Sequence, residues 1–269
     1  MDDGGVPRGE ERGSGVRFAG RVGAVCWSGV FYVLLVLYSL AGIPLLSLYV
    51  ACRAAFTSRR QGLRLFRRAI WWYGRVIVHV LPRPYVCVRY EGYRPPPDAG
   101  GMLVVCNHRS AVDPFLMAAL PLPEIVQVVN KWPMRLPVWG FMARHAGYLS
   151  IREMPVEAFL ARASELLAQG VAIVSFPEGT RAQGREVGPF HGTTFRLCLQ
   201  QKVPILPVCV SGNERVLPRG ARILRAGCIT LRALPPLAWE QYRDLSPFQL
   251  KNFVRQAIVR ELAAMEAVP

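Results

Sequence analysis

No aspartate or glutamate occurs between Glu11 and Glu91, and lysine is confined to Lys131, Lys202 and Lys251. The formal charge of +15, from 33 basic against 18 acidic residues, is therefore carried almost wholly by arginine. A field of that sign favours anionic partners: phosphate headgroups, acidic lipid, a coenzyme or nucleic acid. Charge alone does not choose between them. The seven cysteines (Cys26, Cys52, Cys87, Cys106, Cys198, Cys209 and Cys228) are odd in number and show no C-x-x-C spacing. That excludes a disulfide framework and a structural zinc site, and predicts small core residues in a reducing compartment. Dinucleotide-binding glycines and metal-ligand clusters are also missing, so no metal or organic cofactor is implied. No internal repeat is evident.

Charge is absent altogether from Val22 to Cys52, a run of 31 residues without Asp, Glu, Lys or Arg. A signal peptide's apolar segment spans about 7 to 15 residues, and about 20 suffice to cross a bilayer. The run is membrane-directed. Gly42 and Pro44 interrupt its second half, leaving open one kinked span or a re-entrant helical hairpin. The stretch Arg53 to Arg89 then carries nine arginines and no acid, whereas residues 1–21 balance four arginines against four acids. The positive-inside rule puts the segment after the run in the cytoplasm. Within it, Leu63, Phe66, Ile70, Tyr73, Ile77 and Val80 recur at helical spacing, with Arg60, Arg64, Arg67, Arg68 and Arg75 between them. This reads either as an amphipathic helix in the headgroup layer of an anionic membrane or as a surface helix packed on the domain. The chain divides into a disordered tail (1–21), a membrane-anchoring helical module (22–83) and one α/β domain (84–269).

Past residue 84, short β-type runs alternate with helical patterns. Strands are predicted at Tyr85–Tyr90, Met102–Cys106, Ile125–Val129, Val171–Phe176, Ile205–Val210 and Cys228–Leu231. Helices are predicted near 114–120, 137–145, 156–168, 190–200 and 247–267. Such alternation predicts an α/β fold: a mixed, largely parallel sheet flanked by helices, with the N-terminal helical module attached. Sites in these folds collect beyond the strand ends.

Two strands end in polar constellations. The first is Asn107-His-Arg-Ser-Ala-Val-Asp113-Pro114. On a continuous helix, five steps of roughly 100° would set His108 and Asp113 about 140° apart. They can meet only if His108 lies on a turn that leads into a helix, and Pro114 at a first helical position supplies one. The second is Phe176-Pro-Glu-Gly-Thr-Arg181, a tight loop with a carboxylate, a hydroxyl and a forked guanidinium suited to phosphate. Viewed alone it reads equally well as a capped turn with a surface ion pair. Gly147 to Arg152 is a short apolar run ending in arginine, and Lys131 follows the strand ending at Val129; each is weak by itself.

Taken in order, four blocks resemble the glycerolipid acyltransferase family, the 1-acyl-glycerol-3-phosphate acyltransferases and their lysophospholipid relatives. They are N-H-x-x-x-x-D at Asn107, His108 and Asp113, G-x-x-x-I-R at Gly147, Ile151 and Arg152, F-P-E-G-T-R from Phe176 to Arg181, and V-P-I-x-P-V from Val203 to Val208. The resemblance covers roughly residues 100–212. It implies attack of a lysophospholipid hydroxyl on the thioester of acyl-CoA or acyl-carrier protein, each a co-substrate and not a cofactor. His108 would be the general base, an imidazole titrating at roughly pH 6.5 when unperturbed, and Asp113 would hold its other nitrogen. Arg181 and Arg152 would clamp the acceptor phosphate with Gly179, Thr180 and Lys131, Glu178 would orient an arginine or an acceptor hydroxyl, and Asn107 would support the base. A covalent acyl-enzyme on Cys106 or Ser110 is not needed, because direct transfer requires only proximity and proton removal. The expected partners are the lysolipid, the thioester donor and membrane lipid at the cytoplasmic face of the cell membrane, and not nucleic acid. A different lysolipid acceptor, such as lyso-ornithine lipid, is the nearest alternative. A basic, membrane-anchored protein that binds anionic lipid without catalysis is the alternative of another class.

Overall fold

The computed structural model describes the backbone of residues 9–96, 99–130, 134–135 and 137–267. Helix α1 (Gly9–Ala54) is continuous through Pro44, so the apolar run forms one helix and not a re-entrant hairpin. Its segment Val22–Ala54 is long and apolar enough to cross a membrane. Val33, Leu37, Leu40, Leu45 and Leu48 all stand exposed along it. The helix reaches back to Gly9, into the stretch expected as a tail; extending an existing helix costs far less than nucleating one.

Helix α2 (Arg59–His79) opens with a capping box, Ser58 accepting from the Gln61 N–H while the Gln61 side chain returns to the Ser58 N–H,. It lies against α1 through the stacked rings of Tyr38 and Tyr73, 4.9 Å apart, and a 2.6 Å bond between Ser39 Oγ and the Tyr73 hydroxyl. Three of its arginines contact the domain, although only Arg67 is buried. Arg60 donates to the Gln169 carbonyl, Arg64 pairs with Glu124 at 3.0 Å, and buried Arg67 donates to the Ala146 carbonyl at 3.0 Å. Part of the basic face therefore docks α2 on the α/β domain, while Arg59 and Arg68 stand exposed.

That domain runs β1 (Val86–Gly92), β2 (Leu103–Cys106), α3 (Asp113–Leu116), a 3₁₀ turn (Met117–Ala119), β3 (Ile125–Val129), α4 (Pro137–Ala146), β4 (Leu149–Ser150), α5 (Val156–Ala168), β5 (Ala172–Ser175), α6 (Thr193–Gln201), β6 (Ile205–Ser211), α7 (Asn213–Val216), β7 (Gly227–Ala233) and α8 (Pro247–Ala267). The strands form one sheet in the order β1-β7-β6-β2-β5-β3-β4. Every pairing is parallel except β6 with β7. The mixed, largely parallel sheet is thus the expected one. The two-residue β4 is additional, built from the run expected only as an apolar approach to Arg152.

Central β2 is buried along its whole length. Val104 and Cys106 face a core shared with Met117, Leu120, Val174 and Val208. Leu103 and Val105 face the other core, under α5, α6 and α8, with Phe159, Phe195 and Leu250. Burying a Val or Leu contributes about 1.5–3 kcal/mol each, so the strand end that carries His108 is firmly anchored. The cysteines divide: Cys106, Cys198 and Cys209 are core residues as expected, but Cys26, Cys52 and Cys228 are exposed and Cys87 is half-buried.

From β2 the chain crosses to β3 on one side, and from β5 it crosses to β6 on the other, while β2 and β5 are neighbours. Connections that leave adjacent parallel strands in opposite directions open a crevice at their carboxyl ends. Both polar constellations flank that crevice.

Candidate active site

At the end of β2, Asn107 continues the pairing with β6 through its side chain. Its amide nitrogen donates to the Val210 carbonyl at 2.9 Å and its amide oxygen accepts from the Val210 N–H at 2.7 Å. The next residue begins the site. His108 Nδ1 meets Asp113 Oδ2 at 2.8 Å, with the imidazole 17% exposed and the carboxylate fully buried. The loop between them brings them together as the spacing required, because Asp113 lies in the first turn of α3 beside Pro114. The same Oδ2 accepts from the backbone N–H groups of Arg109 and Ser110, at 2.8 and 2.9 Å. Oδ1 accepts from Asn213 Nδ2 at 2.5 Å. Four donors on one buried carboxylate hold it fixed. Nδ1 then carries the proton toward Asp113, which leaves the Nε2 lone pair as the available base. Phe176 packs on the imidazole, ring centres 4.7 Å apart.

The second loop is bonded to the first. Ala182 donates to the His108 carbonyl at 2.8 Å. Glu178, buried, accepts from the His108 N–H at 2.7 Å and from the Gly188 N–H at 2.8 Å. In this structure the Glu178 oxygens tie backbone amides of the two constellations together. Burial raises its pKa above the usual carboxylate value, opposed by those two amide bonds. Gly179 has φ of 68°, and a side chain there would press within 3.1 Å of the His191 ring; its place in the motif is explained by this turn. Thr180 is exposed and Arg181 half-buried at the crevice mouth.

Arg152 is exposed and follows β4. It lies on the same edge of the sheet, but β4 is three strand positions from β2, a lateral offset of about 14 Å. Lys131 falls outside the described residues. Cys106 and Ser110 are both fully buried. The Cys106 thiol is pushed well above its ordinary pKa by burial and by Asp113, and Ser110 donates its hydroxyl to the Leu217 carbonyl at 2.7 Å. Neither is placed as a nucleophile. Among the described residues, no group of three or more His, Cys, Asp or Glu side chains is arranged to hold a metal ion.

Several functional neighbours were not found from sequence. Asn213, just past the end of β6, completes the carboxylate's shell from 100 residues away. Arg109, buried within the histidine motif, binds Glu266 of α8 and the Arg185 carbonyl. Arg219 donates to the Arg181 carbonyl at 2.8 Å. The one local hint was Ser211-Gly-Asn213, a turn-type triplet at a strand end.

A buried carboxylate orienting a partly exposed imidazole, in the crevice of a largely parallel sheet, makes a proton-transfer centre of the kind used in group transfer. Comparison with known proteins agrees. Residues 87–211 match the acyltransferase family model. The 1-acyl-sn-glycerol-3-phosphate acyltransferase of Salmonella typhimurium is 27% identical over 180 residues, 64% of this chain and 73% of that protein. The lyso-ornithine lipid O-acyltransferase of Pseudomonas aeruginosa is 29% identical over 222 residues, 74% of this chain and 82% of that protein. The crystal structure of the 1-acyl-sn-glycerophosphate (LPA) acyltransferase PlsC from Thermotoga maritima superposes with a TM-score of 0.76 at 21% identity, over 92% of this chain and 98% of that one, and shows the shared fold. Residues 87–211 thus form an acyltransferase-family domain.

Proposed function

We propose that this enzyme transfers a fatty acyl group from a thioester donor, acyl-CoA or acyl-carrier protein, to the free hydroxyl of 1-acyl-glycerol 3-phosphate, giving phosphatidic acid. The observation that carries the reading is the 2.8 Å contact between His108 Nδ1 and Asp113, which leaves Nε2 at the crevice beside the Arg181 loop. In the reaction, Nε2 takes the proton of the acceptor hydroxyl as its oxygen bonds to the thioester carbonyl carbon. The resulting intermediate collapses with cleavage of the carbon–sulfur bond, and the imidazolium returns its proton to the departing thiolate. Asp113 stabilises the imidazolium while it exists. The rim arginines Arg181 and Arg152 attract the acceptor phosphate, with Thr180 at the same mouth. No metal or organic cofactor takes part.

The long apolar helix α1 supports a membrane location, with the domain on the cytoplasmic side. A water-soluble donor and a bilayer-held acceptor then meet at the interface. A second reading, acylation of lyso-ornithine lipid, is favoured by the Pseudomonas relative, to which the chain aligns over more of its length than to the Salmonella enzyme. That acceptor bears an amino acid in place of a phosphate. The experiment is an acceptor panel with radiolabelled acyl-CoA and acyl-carrier protein, run on the full chain in phospholipid vesicles. Transfer to 1-acyl-glycerol 3-phosphate well above all other lysolipids is expected. Transfer confined to lyso-ornithine lipid, or no transfer to any acceptor, contradicts the proposal.

A further inference from the structure

A turn distant in sequence brings another cation to the catalytic edge. Ala221 N–H donates to the Pro218 carbonyl at 3.0 Å, closing a turn over Arg219 and Gly220, whose φ of 81° only glycine takes readily,. The segment holding this turn is tied at both ends. Leu217 accepts from Ser110 Oγ at 2.7 Å, within the histidine motif. Arg222 accepts from the Tyr32 hydroxyl at 2.7 Å, and Leu224 N–H donates to Ser28 Oγ at 2.8 Å, both on the apolar helix α1. The loop thus spans the membrane-directed helix and the catalytic loop.

Arg219 Nη1 donates to the Arg181 carbonyl at 2.8 Å. The N–H of that same peptide bond, from Ala182, donates to the His108 carbonyl at 2.8 Å. With C=O at about 1.23 Å and C–N at about 1.33 Å, the guanidinium nitrogen lies no more than about 8 Å from the His108 backbone oxygen. In 1-acyl-glycerol 3-phosphate the free hydroxyl and the phosphorus are separated by four bonds, about 5 Å when extended. With a hydrogen bond at each end, one headgroup is of the length needed to bridge the surroundings of His108 and Arg219, whereas the strand that leads into Arg152 is offset by about 14 Å. A guanidinium has five N–H donors. Among the described residues, no carboxylate forms an ion pair with Arg219, so its charge is available to an anion.

We propose that Arg219 binds the acceptor's phosphomonoester together with Arg181, and that the 217–225 loop positions this pair between the lipid-facing helix and His108. The inference rests on the acceptor assigned above. Arg219→Gln tests it, because the substitution keeps a polar N–H donor on the side chain while the charge is lost. With the full chain in vesicles, the acceptor KM should rise about tenfold to a hundredfold, the scale of one charged hydrogen bond. The donor KM should stay unchanged, and Arg219→Lys should recover most of the loss. An unchanged acceptor KM overturns the proposal. So does a fall in kcat with both KM values unchanged, which would mean that Arg219 serves only the 181–182 peptide, or a rise in the donor KM alone. Failure of the unaltered enzyme to acylate 1-acyl-glycerol 3-phosphate would instead defeat the assignment of function.

Discussion

The catalytic dyad and the arginine rim stand at the same end of the sheet but are built in opposite ways. Asp113 is wholly enclosed and bonded by four donors, and His108 is held by its ring, its N–H and its carbonyl. Arg152 and Arg219 are exposed, and Arg181 half-buried, on loops. Proton transfer demands fixed geometry, because an imidazole misplaced by an ångström no longer lines up with the hydroxyl. Capture of a phosphate tolerates long, mobile side chains, since attraction between charges falls off gradually with distance. The dyad should therefore govern kcat and the rim the acceptor KM.

Substitutions can break that division. His108→Ala should lower kcat by about 10²–10⁴-fold, the usual worth of a general base, while acceptor KM and Tm change little; a preserved kcat removes His108 from the role. Asn213→Ala deletes the donor to Asp113 Oδ1 and should lower kcat about tenfold, the scale of a hydrogen bond to a charged group. Steady-state kinetics showing a change only in KM would move Asn213 from the dyad's support to the rim. At the rim, Arg181→Ala should raise acceptor KM by about tenfold or more with kcat nearly intact. Arg152→Ala, farther along the sheet edge, should raise it by less. A reversed order in the measured KM values would mean that the phosphate lies over β4.

A smaller effect concerns stability alone. Burial raises the folded-state pKa of Glu178 above its ordinary value of 4.5. The protonated carboxyl is then favoured by folding, so its contribution is full below that ordinary value and is lost as pH rises through the raised one. The Tm of the unaltered protein, measured relative to Glu178→Ala, should decline over that window. A difference that grows with pH contradicts the assignment of burial as the dominant cause.

What was legible in the sequence follows the same boundary between local and distant contacts. The His108–Asp113 pair could be read because a buried run, a turn and Pro114 are contiguous, and short-range geometry sufficed. The largely parallel sheet could be read from alternating periodicity. Asn213 and Arg219 could not, since they reach the site only because β6 lies beside β2, and strand order is invisible to local pattern. Glu178 stands out because its loop is rich in polar groups, and its partners are the His108 amide of the first loop and the Gly188 amide of its own. The arginines of α2 looked like a headgroup-facing stripe, and only the packed domain shows Arg64 meeting Glu124 and Arg67 meeting Ala146. β4, two residues long, is too short for alternation to register.

The most direct test of the central claim, that His108 and Asp113 act as one unit, is a double-mutant cycle on kcat with His108→Ala and Asp113→Ala. Residues that share one chemical task lose it together. The double variant should be no slower than His108→Ala alone. Losses that multiply, leaving the double variant slower than His108→Ala by the full factor of Asp113→Ala, would contradict it.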